Sequence, residues 1–111
     1  MSKSPEFKEV AAGTLNRALS QVDHLSPDVK QNTYNEMMNA LLNFEPSYYV
    51  QDDFTVALLL TRSGHASRFV GVSKRNVTDP KNPLRGKSLA LSRAVRSFVN
   101  SRLKRSGGIE A

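Results

Sequence analysis

Three segments of the chain begin with the same signal, a residue that can cap a helix followed by proline. Ser4-Pro5, Ser26-Pro27 and Asn82-Pro83 each place a side-chain oxygen next to a residue without an N–H group. The oxygen can accept a hydrogen bond from the first helical turn, and proline suits the first helical position because an N–H there has no partner. The sequence therefore predicts three helices.

Apolar residues repeat at helical spacing behind the first two signals. The repeating residues are Phe7, Val10, Ala11, Leu15, Ala18, Leu19 and Val22 in the first segment, and Val29, Tyr34, Met37, Met38, Leu41 and Leu42 in the second. Both helices are predicted to bury one apolar stripe. Gly13 weakens the first by up to about 1 kcal/mol relative to alanine, and Pro46 is predicted to end the second.

The third helix is predicted to run from about Pro83 to Lys104. Residues 106–111, after the helix, are expected to form a flexible tail. The helix itself has an apolar side and a polar side. The apolar side carries Leu84, Leu91, Ala94, Val95, Phe98 and Val99, and the polar side carries Arg85, Arg93, Arg96, Asn100 and Lys104.

Between the second and third helices the sequence favours β-structure. Residues 53–62 and 67–74 are rich in β-branched and aromatic residues and flank a turn in which Gly64 can adopt positive φ, as in a hairpin. Both faces of the first strand are apolar, so both are expected to be covered. A hairpin is marginal alone, which predicts either a third strand, with 47–50 as the candidate, or a second subunit.

With 111 residues and no cysteine, the chain is predicted to be a single α+β domain over 1–111 that lacks disulfides and thiolate metal sites. No apolar stretch approaches the roughly 18 residues of a membrane span. A cytoplasmic location, with no membrane partner, is expected.

Charge is distributed unevenly along the chain. Residues 1–60 contain four Lys and Arg against eight Asp and Glu, whereas residues 61–111 contain twelve against two. Such asymmetry favours contact with a polyanion at one end of the molecule. The alternative is pairing between acidic helices and the basic helix, within the chain or with a neighbouring one.

The motif Gly86-Lys87-Ser88 matches the end of a phosphate-binding loop, but Lys81 stands where that loop needs its first glycine. A nucleotide-hydrolysing loop is therefore rejected. The start of a helix still favours an anion through its N–H groups and dipole, unless Asp79 and the Asn82 cap already satisfy the site. The predicted phosphate-binding residues are Lys74, Arg75, Lys81, Arg85 and Lys87, extended by Arg93 and Arg96.

Signals for catalysis are weak. His24 and His65 lie in different elements without the spacing of a metal site. Asp52 and Asp53 are adjacent, so on an extended chain they would point to opposite faces. The chain is predicted to be a non-enzyme without cofactor or metal. Base stacking by strand aromatics is possible chemistry, but a core role is favoured for Tyr48, Tyr49, Phe54 and Phe69.

The segment 54–96 resembles small phage and prophage proteins in which a hairpin ending G-(V/I)-A-K is followed by Asp, Gly and A-x-x-R-A. The matching residues are Gly71-Val72-Ser73-Lys74, Asp79, Gly86, Ala90, Arg93 and Ala94. The sponges that capture cyclic nucleotide signals of the Thoeris defence system have a similar hairpin and helix, which implies an oligomeric, non-catalytic anti-defence protein. Ser73, Arg75 and Pro80-Lys81 depart from the pattern, so a shared ligand does not follow.

A fainter likeness is to double-stranded RNA-binding domains, which also place a lysine-rich helix start after a hairpin. This chain is expected to lack their third strand and to have an additional helix. The likeness is architectural analogy.

The sequence thus predicts a small, phage-encoded binding protein, a homodimer or larger oligomer, that engages the phosphates of nucleic acid or a nucleotide. If phage-encoded, it would act in the host cytoplasm. The alternative is an inhibitor that docks directly on a host protein through its basic helix.

Overall fold

Three helices and one three-stranded antiparallel sheet make up the fold. A computed structural model describes residues 5–61, 68–76, 78 and 82–105. In chain order the elements are α1 (Phe7–Ser20), α2 (Pro27–Leu41), β1 (Phe44–Gln51), β2 (Phe54–Thr61), β3 (Arg68–Lys74) and α3 (Pro83–Arg105). The predicted α+β class is confirmed, and residues 47–50 belong to a strand. The predicted turn at Gly64 and the tail at 106–111 lie outside the described residues.

Two of the three helix starts form as predicted. The Ser26 hydroxyl accepts a hydrogen bond from the Val29 N–H (3.3 Å), and the Asn82 side-chain oxygen accepts one from the Arg85 N–H (3.2 Å). Helix α1 instead begins at Phe7, and the side chain of its N-cap, Glu6, makes no capping hydrogen bond. The prediction of a start at Ser4-Pro5 is wrong in position.

Pro46 does not end α2, contrary to prediction. The helix ends at Leu41, and Pro46 lies inside β1, where it pairs with Leu59. Strand β1 is an edge of the sheet, and proline is tolerated on an edge strand because a nitrogen that faces outward has no ladder bond to lose. The presence of this strand also corrects the expectation that the chain lacks the third strand of double-stranded RNA-binding domains.

The sheet has the order β1-β2-β3, and a two-residue turn joins β1 to β2. Gln51 pairs with Phe54, so Asp52 and Asp53 form the turn. Asp52 has a φ of 55°, a conformation that aspartate tolerates better than most residues because its short polar side chain can bond locally.

Helix α3 covers one face of the sheet, the inner face, at unusually short range. A Cβ added to Gly71 on β3 would lie 2.0 Å from the Ala90 carbonyl oxygen and 2.4 Å from the Ala94 nitrogen. The backbones of β3 and α3 can meet only because Gly71 has no side chain. Ala57 and Leu59 of β2 are fully buried beneath the same helix.

Helix α1 packs on α3, and the two are joined by a 2.9 Å hydrogen bond between the Thr14 and Ser92 hydroxyls. Near the far end of α3, the rings of Phe44, Phe69 and Phe98 meet edge to face with centroids 5.4 to 5.8 Å apart. Such contacts add to the free energy gained from apolar burial. The core therefore runs along α3, between the sheet and the N-terminal helices.

The other face of the sheet, the outer face, carries apolar side chains that no described element covers. Phe54, Leu60, Val70 and Val72 are 41 to 46% exposed, and α1 and α2 make few or no contacts with the strands. Among the described residues of one chain, the expected cover is therefore present on the inner face only. None of the helices in these residues combines the length and apolar character of a membrane span.

Replacing Gly71 with alanine should lower the free energy of unfolding by about 2–3 kcal/mol or more, because the new methyl group must push α3 away from β3. The matched control is Gly13→Ala on α1, where a Cβ meets the Arg17 side chain at an ordinary 3.5 Å. This change should instead stabilise the protein by up to about 1 kcal/mol through helix propensity. Chemical denaturation of both variants measures the contrast, and equal effects would contradict the close-contact explanation.

Candidate functional site

A cleft of about 250 Å³ opens where α3 begins, between the β1–β2 turn and the end of β3. Its cationic lining residues are Lys74, Arg75 and Arg85, and its acidic ones are Asp52 and Asp53. The first turn of α3 adds backbone N–H groups and the positive end of the helix dipole. The cleft thus brings together three of the predicted phosphate-binding residues, although two carboxylates face the same space.

Gly86 has a packing role at this cleft. Its carbonyl accepts a 2.8 Å hydrogen bond from the buried Ser73 hydroxyl, and a Cβ at this position would lie 2.9 Å from the Thr55 hydroxyl oxygen. The first turn of α3 can therefore rest directly on β2 and β3. The glycine that suggested a phosphate-binding loop is explained by this contact.

Arg75 is tied to the β1–β2 turn. Its guanidinium lies 2.7 Å from an Asp53 carboxylate oxygen, and its backbone N–H donates to the Asp53 carbonyl at 2.7 Å. Asp52 and Asp53 are therefore turn residues that line one cleft, and the expectation of an extended chain that points them apart is wrong. The ion pair offsets the positive charge of Arg75, which weakens its prospects as a phosphate ligand.

Lys87 does not lie with the exposed cations, contrary to its predicted placement. Its side chain is only 7% exposed, and the ammonium lies 5.6 Å from the centre of the Tyr48 ring. The side chain extends from the buried side of α3 toward Tyr48 of β1. Its role in the structure is packing and a cation–π contact.

Three arginines of α3 and one of α1 form a strip that we call the basic strip. It consists of Arg85, Arg93 and Arg17, which are exposed, and Arg96, which is half-buried. Arg93 donates to the Val72 carbonyl of β3 (2.6 Å), and Arg96 donates to the side-chain oxygens of Gln21 (2.9 Å) and Asn100 (3.3 Å).

Arg17 reaches the strip from α1 by donating to the Thr14 and Ser92 hydroxyls, both at 3.4 Å. The groups that accept these hydrogen bonds from Arg17, Arg93 and Arg96 are all neutral. The hydrogen bonds orient the guanidinium groups without offsetting their charge, and a guanidinium has five N–H donors, so several remain for a ligand.

Two predicted site residues remain to be placed. Lys74, which lines the cleft, is exposed, and its ammonium lies 5.5 Å from the centre of the Phe54 ring on the outer face. Lys81 lies outside the described residues, as does Asp79. The predicted cations are therefore divided among the cleft, the basic strip and the buried side of α3.

Strand aromatics are divided in the same way. Phe69 belongs to the aromatic cluster of the core, as favoured, and Tyr48 faces the core side of the sheet. Tyr49 and Phe54 are 61% and 46% exposed and lie on the outer face, so a core role is wrong for these two. His24 is exposed, His65 lies outside the described residues, and within the described chain no group of His, Cys, Asp and Glu is placed to hold a metal ion.

Most of the described residues that carry the phage-type resemblance meet at the contact between β3 and α3. Gly71 touches the backbone at Ala90 and Ala94, Ser73 bonds Gly86, and Arg93 bonds Val72. Packing of one helix on one strand accounts for the positions of these residues. Comparison with family models, curated proteins and solved structures finds no match to this chain.

The burial of Tyr48 on the inner face of the sheet can be tested through its ionisation. Its hydroxyl is buried and makes no hydrogen bond to a described residue, and burial raises its pKa from 10.0 to about 12. Because the folded state holds this proton more tightly than the unfolded state, Tyr48 ionisation does not affect stability below about pH 10, and it lowers stability as the pH rises from about 10 to about 12. Tyr48→Phe should therefore reduce the loss of stability in this range and leave stability near neutral pH unchanged or slightly higher.

The matched control is Tyr49→Phe, since Tyr49 is the adjacent residue but is 61% exposed. Thermal melts across the alkaline range report stability, and tyrosinate absorbance reports ionisation. An identical alkaline response in the two variants would show that the Tyr48 ring is not buried as described.

Proposed function

We propose that this protein is a non-catalytic binding protein that holds the phosphates of a nucleic acid on the basic strip. The observation that supports this most directly is the pattern of hydrogen bonds of Arg17, Arg93 and Arg96. Their partners are neutral oxygens, so the arginines are oriented while their charges stay available. Oriented guanidinium groups suit phosphate because their planar donors match its oxygens in pairs.

The composition of α3 supports the same function. Its 23 residues contain seven Lys and Arg and no acidic residue, so the positive potential along the helix is not interrupted. A polyanion that binds there releases its condensed counterions, which makes binding strong at low salt and largely independent of base sequence. The alternative of internal neutralisation is not favoured, because the hydrogen-bond partners of Arg93 and Arg96 are uncharged.

The length of the strip favours a polymer over a single nucleotide. From Arg85 to Arg96 the helix rises by about 16 Å at roughly 1.5 Å per residue, a distance that spans several phosphates of one strand. A single nucleotide would instead need the cleft, where Asp52 and Asp53 oppose a phosphate. We therefore assign phosphate binding to the basic strip, and the cleft contributes to it only through Arg85, which lies at the start of α3 and belongs to both.

This function does not require a phage origin, since Gly71, Ser73 and Gly86 of the phage-type pattern have packing roles. Anti-defence activity, action in a host cytoplasm and direct docking on a host protein remain further proposals that follow from the resemblance and the basic helix. Charge alone would serve nucleic acid or an acidic protein, and the experiment below distinguishes the two.

Replacing Arg85 and Arg96 together by glutamine should weaken binding to a mixed-sequence DNA or RNA duplex and flatten its salt dependence. If each arginine neutralises one phosphate, the slope of log affinity against log salt concentration should fall by about 0.9 per residue, or about 1.8 for the pair. Fluorescence anisotropy titrations at several salt concentrations measure the slope.

The control is Arg102→Gln, which removes one charge from α3 at an exposed arginine that lies over the Phe98 ring and off the strip. The slope of log affinity against log salt concentration for this variant should be nearly the same as for the wild type. Equal slopes for wild type and the Arg85/Arg96 variant would contradict the proposal. Partners that survive nuclease treatment of a host lysate, in the absence of duplex binding, would favour direct docking on a protein.

A further inference from the structure

The outer face of the sheet is an apolar surface with charged corners. Its side chains form four rows across the three strands, each row being one set of paired residues. The rows are Glu45–Leu60–Arg68, Ser47–Leu58–Val70, Tyr49–Val56–Val72 and Gln51–Phe54–Lys74. The middle of this face is aliphatic and aromatic, and the ionised side chains lie at its ends. Apolar patches of this kind on a folded domain mark interaction sites.

Both edges of the sheet are poorly suited to adding a strand, which leaves the face as the surface for a partner. On β3, the Val72 carbonyl is occupied by the Arg93 guanidinium at 2.6 Å. On β1, Pro46 lacks an N–H group. Both devices are typical of edges that are protected against strand addition. A partner that buries the apolar rows must therefore pack face to face.

The arrangement of charges on this face fits a second copy of itself. If a twofold axis runs parallel to β2, the β1 strand of one copy lies over the β3 strand of the other. Because Glu45 and Arg68 belong to one row, the axis places Glu45 of each copy opposite Arg68 of the other. It also places Gln51 opposite Lys74, and β2 side chains such as Leu58 opposite themselves.

A twofold axis across the strands gives the opposite result. It would bring Arg68 of each copy over Lys74 of the other, and it would leave Glu45 opposite the neutral Gln51. Like charges at a contact are unfavourable, so the charge pattern selects the axis parallel to the strands. Self-complementarity of this kind is what a twofold interface requires.

The area of the face is sufficient for such a dimer. Three strands of seven or eight residues cover roughly 350 Å² in projection, at about 4.8 Å between strands and about 3.3 Å per residue. Side-chain relief increases the accessible area, so two copies would bury on the order of 1,000 Å² in total, the lower range for a specific interface.

We propose that two copies of this chain dimerise through the outer faces of their sheets, with Glu45 of each copy opposite Arg68 of the other. This surface is distinct from the basic strip, because α3 covers the inner face. The dimer therefore carries one basic strip on each of its two outward sides, and dimerisation and phosphate binding can be tested separately.

The first test compares two substitutions of equally exposed valines. Val70 on the outer face and Val29 on α2 are both 45% exposed. Val70→Glu should convert the dimer into a monomer, because it would bury a carboxylate within the interface, where it would face the neutral Ser47 of the other copy. Val29→Glu should leave the dimer intact. Sedimentation velocity measures the state of association, and circular dichroism establishes that each variant is folded.

The second test addresses the arrangement of the two copies. Glu45→Arg and Arg68→Glu, each alone, should weaken the homodimer, since each creates two like-charge pairs. A mixture of the two variants should form a heterodimer in preference to either homodimer, because both pairs are then opposite in charge. Native mass spectrometry of the mixture distinguishes the species by mass, and this test does not depend on the folding of Val70→Glu.

Three outcomes would overturn the proposal. Wild-type protein that remains monomeric at its highest soluble concentration would show that the outer face has another occupant or none. A dimer that persists in folded Val70→Glu would place the interface elsewhere. Random pairing in the mixture would reject the axis parallel to the strands. None of these outcomes alters the expected salt dependence of the Arg85/Arg96 variant, so failure of the dimer is distinguishable from failure of phosphate binding.

Discussion

The contact between Gly71 and the backbone of α3 determines the position of nearly everything else. With no side chain at Gly71, the helix lies against β3 at Ala90 and Ala94. One turn earlier, the first residues of α3 rest on β2 and β3 through the Ser73–Gly86 hydrogen bond. These contacts fix which side of α3 is buried, and therefore which arginines are left outward. Backbone packing of this kind tolerates little change because protein interiors are close-packed.

Much of the fold was predictable because the signals were local. Helical periodicity and cap-plus-proline pairs identified α2 and α3, and β-branched runs identified two strands. Strand β1 was underestimated because Pro46 resembles a helix stop, and whether a proline sits on an edge strand depends on the finished sheet. The Asp52-Asp53 turn was missed for the same reason: a two-residue turn is recognisable only when both of its flanking strands are known.

The candidate site was less predictable than the fold. Helical spacing groups Arg85, Arg93 and Arg96 on one polar side of α3, and in the structure the first two are exposed while Arg96 is half-buried beside Gln21. Lys87 lies on the buried side, under Tyr48, and a helix start alone does not reveal how close the sheet comes. Arg17 could not be identified at all, since its proximity to Ser92 depends on how α1 packs on α3. Long-range packing therefore limits inference from the sequence more than local chemistry does.

Arg93 belongs to two parts of the molecule at once, the basic strip and the edge of β3. Its bond to the Val72 carbonyl means that an anion competing for the same guanidinium nitrogen would release an acceptor on the sheet edge. For such an anion the two equilibria are thermodynamically linked: the coupling free energy by which the anion weakens the bond to the strand is the same as that by which the bond weakens the anion's binding. Backbone amide hydrogen exchange along β3 is thus a reporter of events on α3, from a strand that no ligand has to touch.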